Sequence, residues 1–386
     1  MDPKLFTKSL AGELVKIPRD EITGNEHAFV PHELPPNWDF PVSLWPLLGE
    51  AIGQLGILEG LGRNLPNPAI LLRPLEDREA IKSSRLEGTY ISATELLVYE
   101  MQPRDSKSED DPTNNQREVF NYRKALQEAT KDELPLSLRL IRNLHKTLLT
   151  GVRGRDRTPG EFRRTQVAIG SNHRFVPPPP GETLTECLYP LEKYLHVKNS
   201  KYHPLVDCFL IHYQFETIHP FNDGNGRVGR LLLAIMLKLG CGLSKPWLYM
   251  SEYFEKNRDE YMRLLFDVSA RGNWESWLEF CLRGTAVQAR ETIQRCERLL
   301  RIREEFMRRV AQVGGSVRLT QIVEGIFNSP FVRIADLPKQ LGVTYPTAKS
   351  DVERLEAAQI LRRLASITPA TFYAPEVFNV AYEEMQ

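Results

Sequence analysis

A chain of 386 residues with 41% apolar side chains can supply hydrophobic cores for two or three domains, and 50 basic against 50 acidic residues give it a formal net charge of 0. No global field draws it toward nucleic acid, membrane or an acidic substrate, so any charge-dependent function has to be local. The five cysteines (Cys187, Cys208, Cys241, Cys281, Cys296) are too widely spaced for a metal site and read as reduced thiols of a cytoplasmic protein. Neither a signal peptide nor a membrane span is expected, because the start has no apolar core and no run of eighteen apolar residues occurs.

Residues 1 to about 48 carry proline and glycine punctuation without a sustained period, which predicts an extended arm laid over the surface. Apolar residues at three and four spacing then predict amphipathic helices within 43–61, 76–100, 115–130 and 137–151. The charged stretch QPRDSKSEDDPTNN between the second and third reads as an exposed loop. Residues 158–181 break the rhythm, with two short β-prone pieces about a Gly-Ser-Asn turn and then four prolines, and predict a small hairpin followed by a rigid connector. Helical periodicity returns in 182–200, 203–219, 227–242, 251–270 and 273–289, and in the highly charged 290–309, which reads as a connector helix. Beyond Gly314-Gly315, three short helical pieces and a terminal β-hairpin are the content of a winged helix-turn-helix. The resulting division is 1–115, 116–285, 286–310 and 311–386, a mainly α chain.

The stretch HPFNDGNGRVGR, residues 219–230, sits between two of these helices. Pro220 disfavours helical geometry at His219, so the incoming helix should end there and display the imidazole. A free imidazole titrates near ~6.5 and is suited to take a proton from a hydroxyl nucleophile. Gly224, Asn225 and Gly226 lead into a helix N-terminus, where backbone N–H groups can cradle phosphate. Arg227 and Arg230 share one helix face and offer guanidinium forks to phosphate oxygens, while Asp223 supplies a hard oxygen for Mg²⁺.

The stretch resembles, position for position, the HPFx(D/E)GNGRxxR signature of Fic-domain proteins, nine fixed positions out of twelve agreeing. The resemblance, which covers roughly residues 50–285, implies a Fic-type helical core with a small β-hairpin flap. It implies transfer of AMP from ATP to a Ser, Thr or Tyr hydroxyl of a target protein, the chain itself included. His219 would be the base and Asp223 the Mg²⁺ ligand. Gly224, Asn225, Gly226, Arg227, Val228, Gly229 and Arg230 would hold the nucleotide.

Upstream, Ser83-Ser84-Arg85-Leu86-Glu87-Gly88 is similar to the (S/T)xxxE(G/N) inhibitory helix of one class of the family. There the glutamate, here Glu87, pairs with the second arginine and obstructs seating of the γ-phosphate; in some relatives it also assists AMP removal. Val167, Ala168, Ile169 and Gly170 resemble the centre of the target-docking flap, and Tyr261 falls where relatives place a residue against the nucleotide. His212, seven residues before His219 on the same helix face, reads as a packed histidine.

Residues 311–386 hold seven Lys or Arg against eight Asp or Glu, which favours a protein-contact role over DNA binding. An ATP-sensing transcriptional regulator that binds DNA through this tail is the alternative reading. No membrane partner is expected, and a homodimer is compatible with the chain.

Overall fold

The computed structural model describes residues 1–7, 9–19, 24–108, 111–131, 135–152, 158–170, 175–198, 200–364, 367 and 369–383. The N-terminal arm contains regular structure that periodicity did not reveal. Strands β1 (Gly12–Lys16) and β2 (His27–Pro31) pair antiparallel with Leu14 opposite Phe29. The Phe29 ring lies 5.7 Å from that of Phe175, and its N–H donates to the Val176 carbonyl at 2.8 Å, so the arm is bonded to the chain leaving the flap.

Helices α1 (Trp45–Arg63), α2 (Ala69–Leu86), α3 (Ala93–Met101), α4 (Thr113–Lys131), α5 (Leu138–Leu149) and α6 (Glu182–Leu195) follow. Next come α7 (Pro204–Ile218), α8 (Asn225–Gly240), α9 (Ser251–Lys256), α10 (Arg258–Arg271) and α11 (Trp274–Gln312). The single helix expected over 76–100 is two. Gly88 turns the chain at φ 87°, and α3 restarts behind a capping box in which Ser92 and Glu95 satisfy each other's backbone N–H. The helix expected over 251–270 is likewise interrupted, at Asn257. In the opposite sense, residues 274–309 lie in one 39-residue helix, α11, and the connector set apart at 290–309 belongs to its C-terminal part.

The main core forms around α7, whose Leu205, Phe209, Leu210, Phe215 and Ile218 are all 0% exposed. A helix apolar on every side must be enclosed, and α6, α8, α10 and α11 pack round it. Helix α2 lies against α4 and α9, and α1 runs along α11.

The C-terminal module comprises α12 (Val317–Ile326), β3 (Phe331–Arg333), α13 (Leu337–Leu341), α14 (Tyr345–Ala357), β4 (Arg362–Leu364), β5 (Thr371–Tyr373) and α15 (Pro375–Tyr382). Its antiparallel sheet has the order β3-β5-β4, so the hairpin read from the sequence gains a third strand and a final helix. A second core of Phe306, Ile326, Val352, Leu355, Phe372 and Val377 draws on α11 as well, which therefore enters both cores. No described helix is long and apolar enough to cross a membrane, and the five cysteines are free thiols.

Candidate active site

Helix α7 ends at Ile218, two residues before Pro220, as the proline requires, and His219 adopts a left-handed backbone with φ 51° and ψ 61°. That conformation costs a residue with a Cβ about 1–3 kcal/mol and has to be imposed by its surroundings. Here the His219 N–H donates to the Phe215 carbonyl at 3.0 Å, and its own carbonyl accepts from Arg163 Nε at 2.8 Å. The ring Nδ1 faces the Glu216 carbonyl at 3.2 Å, so a neutral imidazole keeps its proton there and leaves the Nε2 lone pair open. Burial, helped by the charge of Arg163, outweighs the Glu216 hydrogen bond and the nearby carboxylates and holds His219 down to about 4.

The rest of the loop is clipped into shape. Asn225 is 2% exposed; its Oδ1 accepts from the Phe221 N–H and its Nδ2 donates to the Phe221 carbonyl, both at 2.8 Å. Phe221 is stacked on the ring of His145 at 3.8 Å and 7°. His145 accepts from the Gly160 N–H at Nδ1, so its proton is on Nε2, which donates to the Asp223 carbonyl at 3.0 Å. Burial holds His145 down to about 4, leaving it a neutral clip between α5 and the loop.

Gly224, left-handed at φ 76°, leads into α8, whose first N–H groups have no intrahelical acceptor. A side chain at Gly226 would displace Glu87, since its Cβ would lie 2.2 Å from Glu87 Oε1. The two matched segments therefore meet. Arg230 donates from Nε to Ser83 Oγ at 2.8 Å, and from Nη2 to the Ser83 carbonyl at 2.9 Å and to Glu87 Oε1 at 2.7 Å. Burial raises the Glu87 carboxyl, but the charge and hydrogen bond of Arg230 prevail and hold it below the usual carboxylate range. Arg227 is paired with Glu118 at 3.3 Å and stands 3.9 Å from Asp223.

Glu87, Glu216, His219, Gly226, Arg230 and Tyr261 line one cavity of about 670 Å³, a size that suits a nucleotide-sized ligand. Ile169 and Gly170 join its wall, held by a two-way backbone bridge between Ile169 and Phe175. Val167 and Ala168 lie just upstream and do not face it, and residues 171–174, which include most of the expected turn, lie outside the described residues. Val228 points into the core, and Gly229 packs against Glu216, where a Cβ would sit 2.2 Å from Oε1. These two shape the helix and do not line the cavity. Tyr261 is 2% exposed, with its ring 4.4 Å from that of Phe254 and its hydroxyl 2.9 Å from His212 Nε2, so His212 is a packed histidine.

Two residues without a sequence signal stand beside His219. Arg163 is 2% exposed. Its Nε bonds the His219 carbonyl at 2.8 Å, and its other nitrogens bond the carbonyls of Thr165 at 3.3 Å, Ile218 at 3.5 Å and Pro178. It thus ties both ends of the flap to the loop, and burial pulls it down to about 10. Glu216 lies within the last turn of α7, and its Oε1 is buried without a hydrogen-bond partner among the described residues. Burial pushes its carboxyl up to about 7 against the pull of Arg230. Neither residue carries a local signal, because each role comes from chain that is distant in sequence.

Asp223 is the loop's candidate metal ligand. Its Oδ1 accepts from the Gly224 N–H at 2.8 Å and its side chain is 36% exposed. No group of three or more His, Cys, Asp or Glu residues able to hold a metal occurs among the described residues. A single partly exposed carboxylate does not make a closed protein site, but it fits Mg²⁺, which completes its shell with phosphate and water.

Comparison with known proteins agrees with this geometry. Residues 45–131 match the Fic/DOC family N-terminal model and residues 135–237 match the Fic/DOC family model. Over these residues the sequence is similar to the Fic/DOC family. It is 41% identical over 106 residues to protein adenylyltransferase Fic of Drosophila grimshawi, covering 27% of this chain and 21% of that one. It is 43% identical over 79 residues to the Aedes aegypti protein of the same name, covering 20% and 15%. The chain thus spans about a fifth or less of the length of these curated relatives. Among solved structures, a Fic family protein from Desulfovibrio desulfuricans shares the fold at a TM-score of 0.55 and 19% identity, covering 88% of this chain and 98% of the other. A Fic domain containing signaling protein from Bacteroides thetaiotaomicron does so at 0.50 and 21%, covering 64% and 97%.

Proposed function

We propose that this chain is a protein adenylyltransferase that moves AMP from ATP to a Ser, Thr or Tyr hydroxyl of a protein, itself included, and is restrained by Glu87. The observation that carries the reading is the convergence on one cavity of an imidazole with a free Nε2, the glycine-backed start of α8 and an arginine already engaged by a carboxylate.

In this reading the acceptor hydroxyl, docked beside Ile169 and Gly170, gives its proton to His219 Nε2 as its oxygen bonds to the α-phosphorus. The bond from that phosphorus to the pyrophosphate oxygen breaks, and pyrophosphate leaves. The low proton affinity of His219 keeps Nε2 unprotonated at neutral pH, so the base is ready in every molecule. The amides of α8's first turn and Arg230 hold the phosphates, and Asp223 would hold Mg²⁺, which would supply neutralisation of phosphate charge.

Glu87 competes for Arg230 with the outer phosphate, and in the reverse direction the same carboxylate serves removal of AMP. Free thiols suit a cytoplasmic setting.

Parallel incubations with α-labelled and γ-labelled ATP test the transfer. Label retained on protein from the α position only is expected; retention from γ only means phosphorylation and defeats the reading. Glu87→Gly is expected to raise α-labelling, and a variant no more active than the parent defeats the restraint.

A further inference from the structure

The C-terminal module is bonded directly to the helix that presents Glu87. Asp77 on α2 is 0% exposed and lies between Arg123 at 2.9 Å and Arg73 at 3.4 Å; its third partner is the hydroxyl of Tyr382, at the end of α15, which donates at 2.9 Å. Arg78, the next residue of α2, is 6% exposed; besides its ion pair with Glu252 it donates to the carbonyls of Tyr382 at 2.9 Å and Glu383 at 3.1 Å. Arg295 of α11 donates to the carbonyls of Val380 and Glu383, pinning the same segment from its other side. Val377, on the same helix, is 1% exposed and belongs to the module's own core. Helix α15 therefore joins two bodies, with one face in the module and its end on α2.

Nine residues separate Arg78 from Glu87, a rise of about 14 Å along one helix. The intervening residues are engaged with the catalytic domain: Glu79 accepts from Tyr122 at 2.8 Å and from Ser251, Lys82 pairs with Glu255 at 3.2 Å, and Ser83 accepts from Arg230. Every one of these contacts is directional, so their quality depends on where α2 sits along and about its axis. The α15 contacts are the part of that set contributed by another domain.

We infer that the C-terminal module regulates the Glu87 restraint: α15, bonded to Asp77 and Arg78, holds α2 where Glu87 meets Arg230, and whatever draws α15 away loosens that contact. The inference rests on Glu87 acting as the restraint proposed above. It gives the module a task inside the chain, with no need for a basic nucleic-acid-binding face.

The test is Tyr382→Phe, which deletes one hydroxyl, with Arg295→Met as a second variant acting on the same segment from α11. Both are made in the full-length chain and checked for a parental melting transition. Hydrogen exchange at residues 83–88 is expected to rise in each, together with a roughly 3- to 10-fold gain in α-label transfer, part of the effect that losing one hydrogen bond to a charged partner has on the contact itself. In a Glu87→Gly background Tyr382→Phe should add nothing further. Unchanged exchange at 83–88 while exchange in α15 rises would overturn the inference, and so would an equal gain in the Glu87→Gly background. Raised exchange at 83–88 with no α-label transfer from any variant, Glu87→Gly included, upholds the coupling and instead brings down the transferase reading.

Discussion

Helices α7 and α2 are both almost wholly enclosed, and they reach that state by opposite means. Helix α7 buries Phe209, Leu210, Phe215 and Ile218, each at 0% exposure, and carries His219 at its end. Helix α2 buries Asp77, Arg78, Glu79, Lys82 and Ser83, none more than 6% exposed, and carries Glu87 at its end. Apolar packing depends on volume and has one good solution; buried charge depends on the identity of its partners, and partners can be exchanged. The proposed base, His219, therefore sits on the element that cannot adjust, and the proposed restraint, Glu87, on the element that can.

The sharpest way to break this contrast is at the two helix ends. His219→Ala is expected to lower transfer by roughly 10²–10⁴-fold while nucleotide affinity, measured by calorimetry, stays near the parent's. A comparable loss of affinity would mean the ring is part of the nucleotide seat.

Next come the helix interiors, read by urea unfolding. Asp77→Ala leaves Arg73 and Arg123 facing a missing carboxylate and should cost about 3–5 kcal/mol, much of it recovered when Asp77→Leu is combined with Arg123→Met. Phe209→Ala should cost a similar amount, about 3–5 kcal/mol, by opening a cavity that no change of charge repairs. Failure of the paired replacement to recover stability would erase the distinction between the two helices.

Arg163 comes third. Arg163→Met is expected to raise KM for the acceptor about tenfold with KM for ATP little changed, and Arg163→Lys to restore part of it, because the guanidinium orders flap and loop and does not touch phosphate.

At Glu216 the expected effect depends on pH. Its carboxyl moves from 4.5 in the unfolded chain to about 7 in the fold, so the folded state keeps a proton that the unfolded state releases between those values. Stability contributed by that proton is present at low pH and is lost as pH rises through the window, by at most about 3 kcal/mol. Glu216→Gln should therefore raise the melting temperature at pH 8 and leave it unchanged at pH 4.5.

What could be read in the sequence follows from where the determinants lie. HPFNDGNGRVGR carries its base, cradle and arginines in contiguous chain, and Pro220 alone predicts the end of α7. The Glu87–Arg230 contact spans 143 residues and was legible only through a resemblance. Arg163, His145 and Glu216 were not legible, because what makes them matter is a carbonyl or a cavity wall supplied by remote chain. The split between α2 and α3 hides inside an apolar rhythm that runs unbroken across Gly88. The β1–β2 pair escaped because its two five-residue strands, GELVK and HAFVP, show no polar–apolar alternation and lie in a proline-rich background.

The rings of Phe6 and Phe29 close on those of Phe175 and Phe266, with Phe6 and Phe266 5.5 Å apart, and the latter two form part of the cavity wall. The described residues of this N-terminal stretch thus buttress the cavity wall beside which the proposed acceptor would dock. Shortening them, or fusing a tag that levers Phe6 outward, would blunt recognition of protein acceptors well before it disturbed the seat of the triphosphate.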